Sequence, residues 1–105
     1  MSLMRFVERR RPLTRDEFDG TAADTPNVME VDIHICRPFE GHITVTCSGH
    51  MKNAILSVFS SIKALKGHEV TFHLDTKKTP DHSKPIVVTI YAEKRIHVKE
   101  VRLRE

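Results

Sequence analysis

Tryptophan is absent from this chain, tyrosine occurs once and phenylalanine five times, so little aromatic surface exists for stacking on bases or sugar rings. Four glycines leave little room for a phosphate-cradling loop, and no nucleophile elbow, H-x-x-x-H, H-E-x-x-H or C-x-x-C spacing occurs. The only cysteines, Cys36 and Cys47, are too few for a disulfide framework and read as reduced thiols. No apolar run approaches the ~20 residues that a membrane helix needs, and no charged-then-apolar leader pattern opens the chain. These absences favour a cytoplasmic protein with no membrane partner and no cofactor, and they count against an enzyme without excluding one.

What is present suits a small folded domain. The chain has 105 residues, 39% hydrophobic and 30% charged, enough for one core but small enough that a homodimer would help bury it. Residues 1–27 read as an N-terminal arm or long loop, rich in charge with Gly20, Pro12 and Pro26, and residues 28–105 as a single domain. The net charge is +3, but residues 76–105 hold eight Lys/Arg against four Asp/Glu. A basic lobe of this kind is what a polyanion would meet, although an ordinary solvated surface has the same composition.

The longest periodic stretch predicts a helix over 48–67. Met51, Ala54, Ile55, Val58, Phe59, Ile62 and Leu65 fall on one face at helical spacing. Ser48 suits the N-cap, and Gly67 suits the C-terminal stop. Elsewhere the period is two. Val28–Cys36, Ile43–Cys47, Val70–Asp75 and Ile86–Ala92 alternate as half-buried strands. The Arg37–Gly41 turn suggests that the first two form an antiparallel hairpin. A phase slip near Lys99 and Glu100 predicts a bulge or strand end, and Leu3–Val7 reads as a further short strand. Thr14 and Glu17 have the spacing of a capping box for one helical turn. The expected fold is therefore mostly antiparallel β with one amphipathic helix, in β-β-α-β-β order. It is either an OB-like barrel or an open α+β sheet covered by the helix.

Strand phasing collects His34, Thr44, Thr46, Thr71, His73, Thr89, Tyr91 and His97 on the faces opposite the core, with Asp32 and Asp75 nearby. Such a set could hold a metal or an acid/base pair, or simply form a solvated or dimer-forming face. Cys36, His42, Cys47 and His50 are a second possible zinc set. Parity opposes it, because Cys47 falls on the core side and Cys36 on the other. Lys77, Lys78 and Lys84, with Lys94, Arg95, Lys99, Arg102 and Arg104 further on, have the composition of a phosphate-contacting surface. Tyr91, Phe39 and the histidines are the candidates for stacking.

Several short segments resemble an OB-fold class, the bacterial single-stranded-DNA-binding proteins, which includes the small dimeric primosomal replication proteins. Leu13-Thr14-Arg15-Asp16 is similar to the L-T-R-D after that class's first strand. Ser48-Gly49-His50, followed by Leu65-Lys66-Gly67 and Val70-Thr71-Phe72, is similar to its strand-helix-strand passage. Ala92-Glu93 with Ile96 is similar to its C-terminal V-x-A-E-x-I. The resemblance spans about residues 3–103 and implies binding loops at 10–27 and 76–85. The expected function is single-stranded nucleic-acid binding without chemistry, through Arg10, Arg11, Lys77, Lys78, Lys84, Tyr91, Arg95 and Lys99. The alternative is a protein-interaction module that forms a homodimer, with no nucleic-acid role.

Overall fold

Alternation of apolar and polar residues dominates the chain, and strands dominate the result. The computed structural model describes residues 4–20, 24–57, 61–78 and 85–105, the side chains of 61–66 and 78 excepted. In chain order the elements are β1 (Met4–Arg11), α1 (Arg15–Asp19), β2 (Asn27–Ile35), β3 (Glu40–Leu56), β4 (Ser61–Asp75), a 3-10 turn (Thr76–Lys78), β5 (Ile86–Ala92) and β6 (Val98–Arg104). They form one antiparallel sheet in the order β1-β2-β5-β3-β4, with β6 also paired to β3. Residues 8–11 belong to β1 and to the sheet rather than to a loop. The Thr14 capping box forms as its spacing predicts: the Glu17 amide donates to Thr14 Oγ1 at 3.2 Å, and the Thr14 amide donates to Glu17 Oε1 at 2.9 Å.

The helix expected over 48–67 is absent. Its two ends lie in β3 and β4, which pair antiparallel from Glu40↔Asp75 to Leu56↔Ser61, and Val58 and Phe59 lie outside the described residues. The physical cause of the misleading period is the bulging of β3. Its register shifts between Thr46 and Met51 and again between Met51 and Asn53, so its buried residues run Ile43, Val45, Cys47, Met51, Ala54, Leu56. Gly49 occupies the core-side position between Cys47 and Met51, where an added Cβ would come within 2.8 Å of Ile96 Cγ2. Core-facing side chains spaced four and then three apart imitate a helix, whereas the backbone is a bulged strand.

The expected hairpin between the first two strands is also absent, because β5 lies between β2 and β3. The connecting turn is held across the molecule instead. Phe39 is 2% exposed, its amide donates to Thr76 Oγ1 at 2.8 Å, and the Thr76 amide donates to the Phe39 carbonyl at 2.9 Å. The anticipated slip near Lys99 is present as a register shift opposite Thr46 and Cys47.

With no helix among the described residues on its core side, the sheet covers itself. One continuous core joins Met29, Val31 and Ile33 of β2 and Val88 and Ile90 of β5 to Ile43 and Val45 of β3, Phe72 and Leu74 of β4, and Val101 of β6. Strand β3 makes this possible by pairing β6 with its first half and β5 with its second half. β6 and β5 thus follow one edge of β3, interrupted at 93–97. No backbone ladder joins β1 to β6 among the described residues, so the sheet is not a closed barrel. Side chains span the gap: Glu8 Oε1 accepts from the Val98 amide at 2.5 Å, and Arg10 donates to the Ile96 carbonyl.

Candidate nucleic-acid interface

Register places three cross-strand rows on the outward face of β6, β3 and β4. Arg104, His42 and His73 form the first, Arg102, Thr44 and Thr71 the second, and Glu100, Thr46 and Glu69 the third. Directly opposed residues on one face are close enough to interact. The His42 and His73 rings meet edge to face with centroids 5.5 Å apart, and the Thr44 and Thr71 hydroxyls lie 3.0 Å apart. Arg102 Nε reaches Glu100 at 3.2 Å, while Thr46 donates to Glu69 at 3.4 Å. The face is therefore cationic and imidazole-rich at one end and acidic at the other. Lys77 is exposed and lies two residues beyond Asp75, at the cationic end.

This face overlaps only partly with the one inferred from phasing. It gathers His73, Thr44, Thr46 and Thr71, and adds His42, Arg102 and Arg104, which alternation along β3 and β6 could have supplied. His34 lies instead on β2 opposite Arg5, and His97 lies on the β5–β6 connection against Glu8 at 3.4 Å. Among the described residues no cluster of three His, Cys, Asp or Glu could hold a metal ion. Of the second zinc set, Cys47 is buried in the core and Cys36 exposed at the end of β2.

Of the eight residues expected to meet nucleic acid, those described are scattered. Arg95 and Lys99 are exposed on the β5–β6 connection and in β6, and Lys77 on the 3-10 turn. The Lys78 side chain and Lys84 lie outside the described residues. Arg10 is turned toward β6 and Ile96, with its guanidinium 3.2 Å from His97 Nδ1. Arg11 and Tyr91 are engaged in a separate cluster on the outward face of β2 and β5.

In that cluster Arg11 donates to both Glu17 carboxylate oxygens, at 2.6 and 2.8 Å, and the Tyr91 hydroxyl donates to Glu17 Oε2. Tyr91 is 7% exposed and packs with Val28, Leu13 and Ile55. Its ring is thus withdrawn from stacking, as is that of Phe39. The exposed aromatic of this region is Phe18 on α1, 62% exposed. The Arg11 guanidinium holds the Glu17 carboxyl well below the usual carboxylate range, with help from the Thr14 amide and Tyr91. Burial, and then Glu17, push the Tyr91 hydroxyl up, while Glu17 raises Arg11. This arrangement fastens α1 over the sheet and uses charges that could otherwise meet a phosphate.

The arrangement sets hydrogen-bonding, cationic and imidazole groups side by side in cross-strand rows. Comparison with models of protein families, with curated proteins and with solved structures finds no match to this chain.

Proposed function

We propose that the protein binds single-stranded nucleic acid, without chemistry, across the cationic end of the β6-β3-β4 face, on an OB-like scaffold. The observation that carries this reading is the adjacency of the Arg104, His42, His73 row to the Arg102, Thr44, Thr71 row. Arginines there meet phosphates, threonine hydroxyls meet sugar or base edges, and imidazole rings offer flat surfaces to unstacked bases. A long bulged strand with one edge divided between β6 and β5, and a sheet whose ends meet through Glu8 and Arg10, support the OB-like reading. The test is fluorescence anisotropy with labelled single- and double-stranded oligonucleotides at low and physiological salt. Single strands are expected to bind, with affinity falling steeply as salt rises and falling again in an R102A/R104A/K77A variant. Absence of binding at low salt removes the proposal.

A second reading, homodimer assembly, has its own observation. β4 is paired only with β3 among the described residues, leaving its outer edge without a strand partner. An unpaired strand edge is a template for a second copy. Light scattering across a concentration series is expected to show a dimer under this reading, and a monomer throughout removes it.

A further inference from the structure

β3 and the β5–β6 run part from one another at one place. Their ladder stops at Cys47↔Val98 and resumes at Asn53↔Tyr91, and between these points Ser48 and His97 exchange hydrogen bonds, at 2.8 and 3.0 Å. The opening is a groove of about 500 Å³, within the range of small-molecule sites. Gly49 and Ile96 form its mostly apolar wall, and His50, Lys52 and Lys94 stand around it. One carboxylate, Glu93, is also present. It is 68% exposed and reaches Lys52, itself 45% exposed, only at 3.8 Å. So loose and solvated a pair contributes little and leaves Lys52 available to a stronger anion.

We infer that this groove receives one nucleotide unit of the bound strand, its phosphate between Lys52 and Lys94 and its base against the Gly49–Ile96 wall. The inference rests on the nucleic-acid reading above and adds a subsite on a different part of the molecule. Size, charge and polarity all contribute. Two ammonium groups suit a phosphate as point charges, and an apolar wall admits a planar ring. No ladder joins 49–52 to 93–96 across the gap, although the Glu93 and Ile96 carbonyls accept from Asn27 and Arg10, so the β3 side of the gap is the one that can meet base edges. An added Cβ at Gly49 would come within 2.8 Å of Ile96 Cγ2, so a side chain there would force Ile96 to shift.

The experiment is photocrosslinking of a single-stranded oligonucleotide carrying 4-thiouridine, with mass-spectrometric mapping of the modified peptides, alongside salt titrations of wild type and K52A/K94A. Cross-links are expected within 47–53 and 93–97. The double variant should reduce the slope of log affinity against log salt by about 1.4, since each single-strand phosphate contact is worth about 0.7. Both lysines are exposed, so the variant should keep the wild-type melting curve, which is checked first. Strand binding with cross-links confined to 40–46 and 68–75 and an unchanged slope overturns the subsite alone. No strand binding by wild type overturns the subsite and the general reading together.

Discussion

Glu17 shows how much one carboxylate can connect in this chain. It closes the capping box of α1, takes two bonds from Arg11 and accepts the Tyr91 hydroxyl. Because its folded pKa lies below the unfolded value of about 4.3, the contribution is complete above that pH and is lost as pH falls toward the folded pKa. Glu17→Gln is therefore expected to cost about 1–3 kcal/mol at neutral pH, a difference that shrinks in urea unfolding series taken below about pH 4.3. Gly41 is constrained differently. An added Cβ would strike the Arg104 carbonyl and come within 2.9 Å of Glu105 Cα and Phe39 Cζ. Gly41→Ala is expected to lower stability by about 1–3 kcal/mol through overpacking, seen as an earlier denaturation midpoint at unchanged m-value. The capping box was legible in the sequence because its partners are three residues apart. The Tyr91 bond was not, since 74 positions separate it from Glu17, and no local rule reports a contact at that range.

Among the elements, the strands with unbroken alternation were legible and the bulged one was not. β2 and β5 keep one phase from end to end, and their ranges agree closely with the alternating segments. β3 changes phase within itself, so its apolar residues acquire helical spacing while its backbone pairs with three different strands. β1 was partly hidden because Glu8 and Arg10, charged residues, occupy positions on its core side. There they replace a backbone ladder, joining β1 to Val98 and Ile96 of the neighbouring chain run. This predicts a local effect: Glu8→Ala should speed exchange of the Val98 amide hydrogen far more than that of Val101, whose strand partner is Val45. Equal acceleration along β6 in native-state hydrogen exchange would show that Glu8 supports the whole strand rather than one bond. The candidate face was half legible for the same reason. Parity placed Thr44, Thr46, Thr71 and His73 correctly outward, but only the pairing of β3 with β6 brought Arg102 and Arg104 beside them.

At the scale of the molecule, the sheet protects its own interior, and the two thiols provide a direct readout. Cys47 is 2% exposed, and burial pushes its thiol up to about 11, whereas Cys36 is exposed. Titration with a thiol reagent under native conditions is expected to modify Cys36 promptly and Cys47 only at the rate of opening, with both reacting at once in denaturant. Fast native reaction of both would mean that the core around Cys47 opens readily. The uneven charge likewise acts as a whole-molecule property: basic residues near the C-terminal end set a favourable field for anions, but many N-terminal arginines are already engaged. Arg9 makes two bonds to Asp32, at 2.7 and 2.9 Å, and Arg11 is bound to Glu17. Sequence alone determined which residues are apolar, where the alternation lies and that strands outnumber helices, because these follow from neighbours a few positions apart. Tertiary structure decided that the central stretch is two strands, that β5 separates β2 from β3, and which cations remain open. Each of those outcomes depends on pairing between distant segments, and a bulged strand satisfies its backbone and its core only once its partners are in place.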